Sequence, residues 1–230
     1  GITATSLLYR FLVKMGARVS YYIPERQSEG YGLNLEALEH IISDGASLVI
    51  TVDCGISSYD IVEAVCDRID IIITDHHTAP PQIPPARAVI NHKQPDCPYR
   101  DKNLSGVGVA FKLCQALWLR QCGEWYLDDL DIVALGTVAD VVPLVGENRI
   151  IVQAGLKKMN ELPNLGIDKL IDVAGLHDKT ITAGHIGFTL APRLNAAGRV
   201  THATRAVELL VTDDVDLAET IAQELQETNM

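Results

Sequence analysis

Asp75-His76-His77 closes the apolar run Ile69-Asp70-Ile71-Ile72-Ile73-Thr74, so a carboxylate and two imidazoles stand where a buried strand would end. Open α/β sheets bind their ligands at that edge. A second run, Ser47-Leu48-Val49-Ile50-Thr51-Val52, is equally continuous and ends in Asp53-Cys54-Gly55. A third acidic candidate, Asp140, lies in the almost wholly apolar segment 131–143, where an unpaired carboxylate is costly and a divalent cation would remove the cost. Two carboxylates and an imidazole suit Mn²⁺, Mg²⁺ or Zn²⁺, and the absence of paired cysteines argues against a closed structural zinc site. Taken singly, an Asp at a strand end is more often a cap or turn residue, and a His-His pair is a weak signal. The joint placement of all three groups after buried segments is what points to a metal centre.

The elements that must position these groups follow from apolar periodicity. Both runs are β-branched and unbroken, as expected of strands covered on both faces of a parallel sheet. Residues 57–68 read as a helix between them, with Ser57 or Ser58 as N-cap and Ile61, Val62 and Val65 as its buried stripe. Strand, helix and strand with short links make a right-handed βαβ unit, which brings Asp53 within reach of His76. Further helices are predicted over 5–15, 107–121, 149–161, 166–174 and 217–230, and one capped by Asn34 runs to Ser43 with Gly45 closing it. Strands are predicted over 18–23, ended by Pro24, and over 88–91 after a proline-rich loop. The fold class expected is α/β, a Rossmann-like and mostly parallel sheet flanked by helices, over about 1–145. A helical subregion follows over about 146–230, and no low-complexity linker separates the two.

With 230 residues and 47% apolar content, the chain can bury a substantial core. No run approaches the roughly 20 apolar residues of a membrane span and no signal peptide opens the chain, so a cytoplasmic, non-membrane protein is expected. The five cysteines lack CxxC spacing, consistent with reduced thiols, and Cys54 is either a soft ligand or a buried structural thiol. The net charge of −11, with no basic run, speaks against nucleic acid by itself. Metal-holding carboxylates offset that objection in part, because the cation inverts the local sign.

Five motifs in this order carry a resemblance over essentially the whole chain. They are Val52-Asp53-Cys54-Gly55, Thr74-Asp75-His76-His77, Ser105-Gly106-Val107-Gly108-Val109-Ala110-Phe111, residues 136–144 around Asp140, and Pro192-Arg193-Leu194-Asn195-Ala196-Ala197-Gly198-Arg199. Together they resemble the DHH phosphoesterases. Ile23-Pro24-Glu25-Arg26, Glu29-Gly30-Tyr31-Gly32 and the 192–199 block place the chain nearer the single-strand-specific 5′→3′ DNA exonucleases of that family than its pyrophosphatases or cyclic-dinucleotide phosphodiesterases. The resemblance implies that Gly1 follows an aspartate-rich first motif on an interior strand, and that a further domain lies beyond the last helix. The chain would then be a catalytic domain truncated at both ends and inactive alone.

The same resemblance implies two divalent cations, Mn²⁺ or Mg²⁺, and a substrate of single-stranded DNA with a 5′ end. Single-strand-binding protein and helicase would be partners, in recombination and repair. Asp53 would bridge the metals, His76 and Asp140 would complete one shell, His77 would face the scissile phosphate, and Asp75 would orient an imidazole from behind. Arg26 would contact the 5′-terminal phosphate. Arg193, Asn195 and Arg199 would contact substrate phosphates or else brace the turn at Gly198. Ser105 and Gly106 open a helix whose N–H groups could bind an anion, although tight packing on the sheet explains them equally well. Rival readings are a family member acting on oligoribonucleotides, cyclic dinucleotides or pyrophosphate, and a non-catalytic scaffold. His92, His177, His185 and His202 have no legible carboxylate context, and structural roles are expected for them.

Overall fold

The computed structural model describes residues 1–24, 32–197 and 203–229, with the backbone alone at Ala196 and Ala197. Three strands, β1 (Leu48–Val52), β2 (Asp70–Thr74) and β3 (Ala88–Ile90), form a parallel sheet in the order β1-β2-β3. Leu48 lies beside Asp70, and Ile72 beside Ala88. The ladder runs one residue past each strand end: the Asp53 N–H donates to the Thr74 carbonyl at 2.9 Å and the Asp75 N–H to the Ile90 carbonyl at 3.1 Å. All three strands therefore deliver their last residues to one edge.

Helices flank this sheet and continue beyond it. They are α1 (Ile2–Lys14), α2 (Leu35–Ser43), α3 (Tyr59–Glu63), α4 (Gly106–Cys122), α5 (Leu130–Ala139), α6 (Gly146–Glu161), α7 (Leu165–Val173), α8 (Ala183–His185), a π-helical stretch (Ile186–Leu190), α9 (Ala191–Ala197), α10 (Ala203–Val211) and α11 (Val215–Asn229). Their ends obey local chemistry. Asn34 caps α2 by accepting the Ala37 N–H at 2.7 Å, and Gly45 follows it at φ +84°. Ser105 caps α4 through the Gly108 N–H, and Gly123 ends it at φ +77°. The pleat sorts the sheet's side chains. Ile71 and Ile73 pack with Leu38, Val62 and Val65 on one face. Ile50, Val52 and Ile90 join a larger cluster on the other face that runs through α1, α4, α5, α7, α10 and α11.

The α/β class with an appended helical region is what the sequence predicts, with three differences of detail. Residues 18–23 keep a strand's alternation, half-buried at Val19, Tyr21 and Ile23, but form no strand, because no described neighbour offers a ladder. Tyr21 packs edge-on against Tyr9 of α1 instead. The helix expected over 57–68 is α-helical only over Tyr59–Glu63; tighter bonds from Val65 to Val62 and Arg68 to Val65 turn the chain into β2. The third difference concerns Asp140. It is the C-cap of α5 with about a third of its side chain exposed, so it is not the buried carboxylate of segment 131–143.

That carboxylate is Asp131, fully buried in the first turn of α5. It accepts the Asn164 N–H at 2.6 Å and the Ile132 N–H at 3.0 Å. Burial nevertheless pushes its pKa up, against the pull of those donors. A carboxyl raised in the fold contributes stability below its unfolded value, near ~3.9, and loses it as pH rises through the folded value. Asp131→Asn does not titrate, so its stability relative to the unaltered chain is expected to improve between about pH 4 and pH 7. Urea midpoints at the two pH values read this directly; a constant difference contradicts it.

Candidate metal centre

Asp53 is the first residue past β1 and sits at φ +60°. His76 stands two residues past β2, and Asp140 comes from the end of α5. The His76 Nε2 lies 3.1 Å from Asp53 Oδ1 and 3.5 Å from Asp140 Oδ2. Ligands about 2.0–2.1 Å from one small cation are separated by about 3 Å along a coordination edge, so this spacing fits a shared ion. Asp53, His76 and His77 also each place a ligand atom within 4.8 Å of the others. Burial would raise the Asp53 carboxyl, but the His76 hydrogen bond holds it below the ordinary range. Asp140 moves the other way, raised by burial and by the charge of Asp53 against the attraction of His76. Anionic and imidazole donors of this kind, partly withdrawn from water, are the chemistry a hard or borderline divalent cation requires.

Asp75 is buried and faces away from this cluster into the backbone around it. Its Oδ1 accepts the N–H groups of His76 at 2.7 Å and His77 at 3.2 Å, and its Oδ2 accepts the Ile56 N–H at 3.0 Å. Oδ1 also holds His77 Nδ1 at 2.7 Å. The carboxylate thereby aims the half-exposed His77 ring. Burial and the charges of Asp75 and Asp53 push the Cys54 thiol up to about 11.

Two further features brace the cluster. Among the described non-glycine residues, positive φ occurs only at Asp53 and at Val141, which follows Asp140 at φ +58°. Left-handed backbone is rare for a β-branched residue, and such strain collects at functional sites. The start of α4 packs on Asp53 as well: a Cβ on Gly106 would lie 2.1 Å from Asp53 Oδ1. Gly106→Ala is therefore expected to displace the carboxylate and weaken Mn²⁺ binding by at least about 10-fold, the lower range for disturbing a ligand's support. Calorimetry reads this, and unchanged affinity would show that Asp53 does not need that position.

The remaining predicted residues are placed as follows. The Ser105 hydroxyl is buried, 2.9 Å from Thr137 Oγ1, and caps α4. Arg193 bonds to Gln226 of α11 and to the Thr189 carbonyl, while Asn195 is exposed on α9. Arg26 and Arg199 lie outside the described residues. His177 pairs with Asp178 at the surface and His185 completes a capping box with Thr182. Sequence reasoning passed over His92. It is buried and close enough to His76 for the charge of one ring to bear on the other, a proximity that no local pattern signals.

These features define a class, and comparison agrees with them. Residues 1–137 match the N-terminal domain of the DHH family, and the chain belongs to that family. Within it, the chain is homologous to the single-stranded-DNA-specific exonuclease RecJ. It is 44% identical over 230 residues to RecJ of Bacillus subtilis and 41% identical over 244 residues to RecJ of Dickeya dadantii. All of the chain aligns in both cases, but it spans only 29% and 42% of the length of those curated relatives. A crystal structure of exonuclease RecJ bound to manganese superposes with a TM-score of 0.91 at 36% identity, covering all of this chain and 58% of that one. No described helix is long and apolar enough to cross a membrane.

Proposed function

We propose that the chain is the catalytic core of a cytoplasmic 5′→3′ exonuclease that hydrolyses single-stranded DNA in recombination and repair. The observation that carries this is the meeting of Asp53, His76, His77 and Asp140 at one sheet edge, in a chain homologous throughout its length to RecJ. In this reading residues 1–230 are one catalytic domain with an α/β part to about 145 and a helical part beyond. Two divalent cations, Mn²⁺ or Mg²⁺, supply Lewis acidity and a readily deprotonated water near neutral pH.

The chain's own residues then divide the work. Asp53, His76 and Asp140 hold the cations. His77, aimed by Asp75, donates from Nε2–H to a phosphate oxygen when its ring carries both protons. Arg26 takes the 5′-terminal phosphate, with Arg193, Asn195, Arg199 and the Ser105-Gly106 turn along the strand's path. Single-strand-binding protein and a helicase are the partners that would expose and present the strand.

The test uses the protein at the length its gene encodes, with Mn²⁺ and a 5′-labelled single strand. Release of labelled mononucleotide, absent on duplex DNA, is expected. Preference for a cyclic dinucleotide or for short RNA under the same conditions would overturn the substrate assignment.

A further inference from the structure

His76 and His92 each stand two residues past the end of neighbouring strands, β2 and β3. Thr74 pairs with Ile90 in the parallel register, and the next ladder bond joins Asp75 to the Ile90 carbonyl. His92 follows in the turn after β3, close enough to His76 for the charge of one ring to bear on the other. Both residues are more than nine-tenths buried, with 8% and 5% of their surface exposed. Each has a ring nitrogen, Nδ1 in both cases, that is buried without a hydrogen-bond partner. Two such atoms near one another are unusual, because buried polar groups are nearly always paired.

The other nitrogens decide what each Nδ1 must be. His92 Nε2 lies 3.0 Å from the Lys102 carbonyl, and a carbonyl only accepts, so the proton of the neutral ring is on Nε2 and Nδ1 carries a lone pair. Lys102 Nζ returns a bond to the His92 carbonyl at 2.5 Å, which clamps the residue from both ends. Burial and the nearby charges of Lys93 and His76 keep the His92 ring neutral by lowering its pKa. His76 is the reverse case. Its Nε2 faces the Asp53 and Asp140 carboxylates, and in a ring that ligates a cation through Nε2 the proton is on Nδ1. A donor and an acceptor, complementary and buried, thus stand at one sheet edge.

We propose that His92 is a positioning residue for His76: the His76 Nδ1–H donates to one bridging water, which in turn donates to the His92 Nδ1 lone pair, and this fixes the tautomer that presents the Nε2 lone pair to a cation beside Asp53 and Asp140. Ligating imidazoles are generally oriented by such an outer acceptor, and removing it costs typically about 10–100-fold in metal affinity. A water with two ring nitrogens and neighbouring backbone groups as partners is an ordinary structural element. The assignment rests on the metal-centre reading for its consequence, and on the two orphaned nitrogens for its geometry.

Two amide variants separate this role from simple anchoring of the loop after β3. His92→Asn keeps an acceptor near the Nδ1 position and loses the bond to Lys102, whereas His92→Gln keeps a donor near the Nε2 position and loses the acceptor. His92→Gln is expected to weaken Mn²⁺ binding about 10–100-fold by calorimetry, with His92→Asn close to the unaltered chain; a purely anchoring role gives the opposite order and overturns the proposal. These measurements use the protein at the length its gene encodes, and if the unaltered protein binds no Mn²⁺, the metal-centre reading fails by itself. Imidazole NMR of the metal-free chain then decides the His92 assignment. Supporting it, the His76 Nδ1 nitrogen keeps its chemical shift in His92→Asn and moves in His92→Gln; an equal shift in both variants overturns it.

Discussion

Asp53→Asn is expected to reduce Mn²⁺ affinity by more than about 100-fold, beyond the range seen when only an outer support is lost. The substitution is a clean one. Asp53 sits in the left-handed region at φ +60°, where Asn is among the few residues readily tolerated, so the backbone has no reason to move. What changes is charge: the carboxylate 3.1 Å from His76 Nε2 becomes a neutral amide. Hard divalent cations take oxygen ligands largely for their charge, and an amide oxygen beside one remaining nearby carboxylate, Asp140, is a poor substitute. Calorimetry measures the loss, with circular dichroism confirming an intact fold. An affinity within a few-fold of the unaltered chain would remove Asp53 from the metal centre.

Gly155→Ala is expected to destabilise the fold by about 2–3 kcal/mol, the upper part of the range for overpacking a close contact. Gly155 lies in α6 against α5, and a Cβ there would sit 2.3 Å from the Leu130 carbonyl oxygen and 2.4 Å from Ala134 Cβ. Helix propensity favours the substitution by about 0.8–1.0 kcal/mol. Neither neighbour can rotate away, however, since one is backbone and the other is a Cβ. The two helices must part, and packed interiors lose contact energy steeply on small separations. The overlap therefore outweighs the propensity gain. Because α5 ends at Asp140, the same shift should weaken Mn²⁺ binding even in the folded population. Urea denaturation gives the stability change, and an unchanged or higher midpoint would mean that α5 and α6 are not in that contact.

Much of the architecture is legible in local pattern. The two β-branched runs became neighbouring strands because a residue series without alternation must be covered on both sides. Asn34 and Gly45 mark the ends of α2 through bonds that reach only a few residues. Segment 18–23 has the alternation of a strand and is none here, since a ladder needs a second chain segment that no local pattern can supply. Asp140 and Asp131 show the same limit within one helix. Both lie in an apolar stretch, but the C-cap is partly open to solvent and the first turn is enclosed.

The sequence by itself determined the donor types, Asp53, His76, His77 and Asp140, and their positions after buried segments. The reason is that side-chain chemistry and hydrophobic period are properties of short stretches. Only the tertiary structure decided their division of labour. It turned Asp75 toward four donors and thereby aimed His77. It pressed Gly106 against Asp53 and brought His92 near His76. Those outcomes depend on register and helix packing across dozens of residues, where distance along the chain carries no information about distance in space.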